Sequence, residues 1–464
     1  MTEQVAVEHG IAEMASEAYV VGFPLVFDLD QVQRFTREGL GAVPATPYNV
    51  FGHARSLAGP ESTFVSINND TVYSVAQLDL GVGPLLLEVP AVGDRYYVLQ
   101  FVDAWTNNFA YVGSRATGSA QGRYLLVPPA WEDEDAPEGA TVIRFPTRVG
   151  TIVGRWAVAG EDDLPAVHAL QDALTLTQTR ESFAPAAGVP EVEAAPSEAL
   201  TFFERMRVWS QEFPPAEHDR RALETYEPIG LTGSTPVGEL PEEVRAALEE
   251  GYAVGRQALE SALHTAVPLV DGWQVNLHVF DYNIDYFEVG ALDDPQWQRP
   301  DPATRYARRA AAALGGLWGN HAYEAAYFPT YVDADGEALT GERTYRLRLH
   351  PTPPVGAFWS ITMYDLPHYF LVDNPIGRYS LGDRTPGIVY DYDGGLTITI
   401  SAARPTDPKA AANWLPAPSG AFRPLLRMYA PGPAVLDGSY RLSPIERVPA
   451  SDNDTTPPID EETD

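Results

Sequence analysis

Between Thr63 and Val158 apolar residues come in short alternating runs separated by Gly, Pro, Asn and Asp. A period of two marks strands with one buried face. It predicts strands at Thr71–Leu78, Leu85–Val89, Arg95–Val102, Tyr124–Val127, Thr141–Phe145 and Thr151–Val158. Outside this stretch the period lengthens. Ile11, Met14, Ala15, Ala18 and Tyr19 are spaced as one face of a short amphipathic helix reaching about Val26. The middle of the chain repeats the helical spacing at Leu164–Gln178, Pro196–Phe213, Pro241–Thr265 and Ala303–Tyr323. In the third of these, Val244, Leu248, Tyr252, Leu259 and Leu263 form the apolar stripe. From Tyr327 onward strands return, at Thr344–Leu349, Ala357–Tyr364, Leu396–Ser401 and Pro424–Tyr429.

The fold class that follows is mainly β with a helical segment (α+β), in which two β-sandwiches are joined by helices. The divisions are a lead-in over 1–60, a first sandwich over 61–160, a helical connection over 161–326, a second sandwich over 327–448 and a tail over 449–464. The tail carries six acids and no base, a composition expected to stay disordered.

The two sandwich regions share a pattern. Tyr97, Leu99, Phe101 and Asp103 fall on one face of their strand, as do Trp359, Ile361, Met363 and Asp365. Each strand thus ends in an aspartate on its inward face. Later in each region an arginine stands among apolar residues, Arg155 in one and Arg427 in the other. The aspartate strands are offset by 262 residues and the arginines by 272, which predicts two diverged copies of one sandwich.

Six segments carry a family resemblance. Asn69-Asp70-Thr71-Val72-Tyr73-Ser74, Asp103-Ala104-Trp105-Thr106-Asn107-Asn108-Phe109 and Gly154-Arg155 resemble the domain of unknown function numbered 1254. Phe358–Tyr364, Arg378–Asp383 and Asn413–Pro418 resemble its usual C-terminal companion, numbered 1214. The resemblance implies two jelly-roll-like sandwiches with helices between them, in a homo-oligomer. It implies no established chemistry.

Charge narrows the partners. The 464 residues hold 64 Asp+Glu against 31 Lys+Arg, a formal net charge of -33, and Lys409 is the sole lysine. Such a surface repels phosphate backbones and anionic bilayers, so neither nucleic acid nor membrane is an expected partner. An arginine-preferring genome and a salt-rich cytoplasm both fit this balance. There is no cysteine, which removes disulfides, thiolate metal sites and thiol nucleophiles. The N-terminus lacks the basic region of a signal peptide and no apolar run reaches 18 residues, so a cytoplasmic location is expected.

The nine histidines are scattered, and none pairs with another at helical or alternate-strand spacing. His321 and Glu324 are three apart, as on a solvated helix face. No metal and no cofactor are therefore expected, and hydrolase elbows, P-loops and dinucleotide fingerprints are missing. What remains is carboxylates, amides and aromatics. Asp70, Asp103 and Tyr73 are the candidate acid–base groups. Asn69, Trp105, Asn107, Asn108, Trp359, Asp365 and Arg155 are candidate binding groups. Each has a structural alternative. Asp70 suits an Asx turn, Asp103 and Asp365 suit ion pairs with Arg155 and Arg427, and the tryptophans suit the core. Two functions stay open: an Asp/Tyr acid–base enzyme, of hydrolase or isomerase type, acting on a small polar organic molecule, or a non-catalytic ligand-binding or assembly protein. An enzyme site would need Asp70 and Asp103 around one cleft.

The charge itself makes a prediction. Screening relieves self-repulsion, so the melting temperature should rise from low to molar salt. A flat or falling melting temperature removes the salt-adapted reading.

Overall fold

The computed structural model describes residues 2–62, 66–132, 136–179, 185–263, 267 and 269–449. The expected acidic tail, Pro449 apart, lies outside them. The chain is a mixed α+β protein that divides into two compact units, each assembled from separate stretches. Unit one comprises Met1–Leu57, Asp70–Ala266 and Leu277–Ala326; unit two comprises Ala58–Asn69, Val267–Asn276 and Tyr327–Asp464. The helices of the middle region thus belong to the same unit as the first pair of sheets.

Unit one contains helices α1 (Thr2–Glu38), α2 (Leu164–Asp172), α3 (Glu198–Glu212), α4 (Glu217–Glu224), α5 (Glu242–Leu263) and α6 (Pro302–Gly316). Its strands are β1 (Gly52–His53), β2 (Thr71–Asp79), β3 (Leu85–Val89), β4 (Tyr97–Asp103), β5 (Asn108–Gly113), β6 (Gly122–Val127), β7 (Thr141–Arg144), β8 (Val149–Ala157) and β9 (Thr175–Gln178). One sheet runs β1-β2-β8-β4-β5 and the other β7-β6-β3-β9. Both sheets and the helices feed one apolar core, with Val75 and Ile152 from the first sheet, Leu87 and Leu126 from the second, and Leu25 and Phe203 from helices.

Three helical expectations change. The N-terminal helix runs well past Val26, because Leu25, Leu29, Val32 and Phe35 continue the helical spacing and are buried. Its Gly10–Glu38 stretch is long and apolar enough to cross a membrane by length and composition, yet 56% of that window is buried. The helix packs against α3, α5 and α6. The helix expected over 164–178 stops at Asp172, and Thr175-Leu176-Thr177-Gln178 pairs with β3 as an edge strand, Leu87 facing Leu176. Alternating threonines favour that outcome. The helix expected to Tyr323 ends at Gly316.

Unit two contains β10 (Leu269–Val270), β11 (Trp273–Gln274), β12 (Ala325–Pro329), β13 (Tyr345–Leu349), β14 (Val355–Asp365), β15 (Ser380–Gly382), β16 (Leu396–Ser401), β17 (Trp414–Pro416), β18 (Phe422–Pro431) and β19 (Glu446–Arg447), with short helices α7 (Pro408–Ala412) and α8 (Pro433–Leu436). Its sheets run β12-β18-β14-β15 and β17-β16-β13-β19. This is the order of unit one, strand for strand, from β2-β8-β4-β5 and β7-β6-β3-β9. Directions agree as well: β6 with β7 and β16 with β17 are parallel pairs, while β4 with β8 and β14 with β18 are antiparallel.

The correspondence extends to register. Val98 faces Arg155 in unit one and Ser360 faces Arg427 in unit two. The difference between the offsets of 262 and 272 is therefore absorbed in the connections, and the paired strands stay aligned. Arg155 donates to Gln100 Oε1 at 2.8 Å, and Arg427 donates to the equivalent Thr362 Oγ1 at 2.8 Å.

A glycine marks the same place in both copies. A Cβ on Gly113 would sit 2.5 Å from the Tyr97 carbonyl oxygen, and one on Gly382 would sit 2.1 Å from that of Trp359. Backbone cannot retreat as a side chain can. Gly113→Ala and Gly382→Ala should each lower the unfolding free energy by about 1–3 kcal/mol in denaturant titrations. An unchanged midpoint in either would mean that the close approach is not a structural requirement.

Candidate functional site

The strand register decides where the sequence candidates lie. Thr71 faces Ala157 on β8, and the Asp70 carbonyl accepts from Val158 N at 3.2 Å. Asp103 faces Gly150 at the other end of β8. From Gly150 to Val158 is about eight residues, or ~26 Å of extended chain. Asp70 and Asp103 therefore cannot share a cleft, and the two-carboxylate site expected from the sequence is not formed. The expected ion pair of Asp103 with Arg155 is not formed either, because Arg155 lies about five residues, ~16 Å, along β8 from Gly150.

Asp103 instead caps its own loop. Its Oδ1 accepts from Trp105 N at 2.9 Å and Asn107 N at 2.8 Å, and its Oδ2 accepts from Asn107 Nδ2 at 2.9 Å. These bonds hold Thr106 at φ 65, a left-handed conformation costly for a β-branched residue. Trp105 Nε1 donates to the Phe213 carbonyl at 2.7 Å and Tyr282 Oη to the Thr106 carbonyl at 3.0 Å. The loop is closed to solvent, with Asp103, Trp105, Thr106, Asn107 and Asn108 all buried. Burial raises the Asp103 pKa to about 6, against the opposing pull of Asn107, Arg309 and Trp105. Burial also raises Asp28 well above the carboxylate range; Trp318 Nε1 donates to it, and the charge of Asp103 adds to the rise.

The remaining candidates scatter. Tyr73 faces Arg155 across β2 and β8, and the guanidinium carbon lies 5.4 Å from its ring centroid. Arg155 also donates to the Trp318 carbonyl at 2.7 Å. Asn108 accepts from Gln100 Nε2 at 2.7 Å. In unit two, Asn69 Nδ2 donates to the Ala58 carbonyl at 2.6 Å, and Trp359 is buried in the sheet core. Asp365 is not sealed inside, since its side chain is 32% exposed. It faces Phe422 while Arg427 faces Ser360, so their ion pair is absent too. Like Asp103, it caps the loop after its strand, accepting from Phe370 N at 2.7 Å.

Sequence reasoning missed a buried polar node. Arg305 grips Asp219 through two nitrogens at 2.9 and 2.5 Å, Tyr306 Oη donates to Asp219 at 2.7 Å, and Arg309 lies at 3.4 Å. Burial opposes the Asp219 charge, but Arg305, Arg309 and Tyr306 outweigh it and hold the pKa at about 2. Arg309 also donates to Asn107 Oδ1 at 3.0 Å, joining this node to the Asp103 loop. His218, Asp219 and Asp285 offer ligand atoms within 4.8 Å of one another. A divalent cation there would sit beside two guanidiniums already bound to Asp219, which disfavours it. His321 and Glu324 are not on a solvated helix face: both are buried beyond α6. Tyr111 and Tyr323 meet His321 Nδ1, and Arg115 and Tyr96 donate to Glu324. Burial lowers the His321 pKa to about 4, so the imidazole is neutral. His53 Nδ1 lies 2.8 Å from Ser74 Oγ, but that hydroxyl is buried and accepts from Trp156 Nε1.

A cavity of about 370 Å³ opens among α1, α3, α5 and α6. Its floor is aromatic: Tyr19, Phe23 and Phe27 stand one helical turn apart, and Phe202 and Tyr252 complete it. Gly251 and Gly255 bring α5 against α1, since a Cβ on either would lie under 3 Å from Ala15 or Tyr19. The rim is charged. Arg205 donates to Asp30 at 2.9 Å, Arg256 to Glu260 at 3.0 Å, and Tyr252 Oη to Glu198 at 2.9 Å. From sequence Tyr19, Tyr252 and Leu259 stood out only as apolar helix-stripe positions, and none of the lining groups as a binding residue. The four-residue spacing of Tyr19, Phe23 and Phe27 was the available signal.

Models of two families match the chain. One described as "Protein of unknown function (DUF1254)" covers residues 48–178, and one described as "Protein of unknown function (DUF1214)" covers 324–433. No curated protein matches. Among solved structures, the VPA0106 protein from Vibrio parahaemolyticus is similar, at 22% identity over 95% of this chain and 100% of that one, with a TM-score of 0.72. A putative uncharacterized protein from Burkholderia cenocepacia aligns over 96% of each chain at 11% identity and a TM-score of 0.43. The Vibrio likeness supports the fold and carries no activity.

The Asp103 shift has a consequence for stability. The folded carboxyl holds its proton up to about pH 6, while an unfolded aspartate loses it near pH 4. Between those values the folded state binds more protons, so stability falls as pH rises, by roughly 3 kcal/mol from this group. Asp28 acts with the same sign in both proteins compared. Asp103→Asn should therefore show a shallower fall than the parent between pH 4 and 6 in denaturant titrations. Parallel curves would mean that Asp103 is ionised without penalty.

Proposed function

The chain belongs to the proteins that join a DUF1254 to a DUF1214 domain, and we propose that it is a non-catalytic binding protein for a small organic molecule held in the helical groove of unit one. One observation carries this reading: an aromatic floor lies beneath ionised side chains that reach solvent, with exposures from 32% at Asp30 to 79% at Glu198. A cavity of a few hundred Å³ with an apolar floor and a few convergent polar groups is the usual form of a small-molecule site. The acid–base alternative on Asp70, Asp103 and Tyr73 has the raised Asp103 pKa in its favour. It would require the loop over 103–108 to open, breaking the bonds that hold Thr106, and would leave Asp70 and Asp103 ~26 Å apart along β8.

The test uses an uncharged apolar fluorophore. Nile red fluorescence should rise on adding the protein, and a chelator should leave the rise intact. Leu314→Trp, which fills the groove from α6, should weaken binding at least tenfold while leaving the melting temperature within a few degrees. Equal binding by parent and variant would contradict the groove as the site.

A further inference from the structure

Resting on the groove as the binding site, we infer that its ligand is an amphiphilic organic cation, an apolar body bearing an ammonium-type head. The rings of Tyr19, Phe202 and Tyr252 line the cavity as one packed aromatic cluster, with centroid separations of 4.7 Å, 5.0 Å and 5.7 Å. Burial raises the pKa of the Tyr19 phenol, so its ring stays neutral. Neutral aromatic faces attract cations through their quadrupoles and offer an anion nothing comparable.

The rim decides the sign. Three carboxylates, of Asp30, Glu198 and Glu260, stand against two guanidiniums, of Arg205 and Arg256. Both arginines are already engaged: Arg205 with Asp30 at 2.9 Å, and Arg256 with Glu260 at 3.0 Å and Glu198 at 4.0 Å. An anionic head would have to displace a resident carboxylate from its arginine. A cationic head meets the surplus negative charge directly, above rings suited to receive it. The chain's net charge of -33 works in the same direction, raising the local concentration of cations at its surface.

Three ligands with one apolar chain and different heads test this: octyltrimethylammonium, octanol and octyl sulfate, each titrated calorimetrically below its micelle concentration. The expected result is that the ammonium binds at least tenfold tighter than the sulfate. Glu198→Gln and Glu260→Gln should each narrow that gap severalfold, and Tyr252→Leu should weaken the ammonium more than octanol. Leu314→Trp should abolish all specific binding. If octanol binds in the groove and the sulfate equals or exceeds the ammonium, the ligand class is wrong and the groove stands. If ammonium binding survives Leu314→Trp, it is diffuse attraction to an acidic surface and the inference falls. If none of the three binds, the groove reading fails with it.

Discussion

Antiparallel pairing of β8 with both β2 and β4 is the constraint on which the chemistry of unit one depends. Because β8 is shared, every position on its two neighbours is referred to one ruler with a spacing of about 3.3 Å per residue. Asp70 falls at one end and Asp103 at the other, with Arg155 between them. Side-chain motion cannot close such distances, and a slip of one residue would turn the whole buried set to the opposite face. The sheet therefore distributes its polar groups among separate structural tasks. Asp103 holds a strained buried loop, Arg155 ties β4 to the segment at Trp318, and Tyr73 lies against the guanidinium.

The same ruler governs unit two, where β18 pairs with β14 in a matching register and the aspartate again caps the following loop. The two copies differ in what surrounds that loop. Asp103 is sealed and tied through Asn107 to Arg309 and Asp219, whereas Asp365 stays partly open beside His368. Helices α4 and α6, which unit one adds to the shared sheets, supply this second layer of bonds. They convert a loop cap into a buried junction between sheet and helices.

Much of the sheet architecture was legible in the sequence, and much of the site was not. Alternation placed most strands, and the aspartate and arginine offsets foretold a repeat whose register proves to match. The destination of Asp103 was harder. Its inward aim follows from strand periodicity, but its partner sits four residues away, across a left-handed Thr106 that no periodicity encodes. The Asp219–Arg305 pair is separated by 86 residues and joins two helices whose packing is tertiary information. Tyr19, Phe23 and Phe27 read equally well as an ordinary core stripe. Only the placement of α3 and α5 beside them leaves room for a cavity, and Gly251 and Gly255 set that distance through contact with α1.

We propose that ligand recognition belongs to the helices of unit one and not to the carboxylates of its sheet. Diffraction from crystals grown with 8-bromooctan-1-ol would decide this, because the bromine locates the ligand by anomalous scattering. The expected result is an anomalous peak in the groove among Phe23, Phe202 and Tyr252. A peak beside Asp70 or Asp103, with the groove empty, would contradict it.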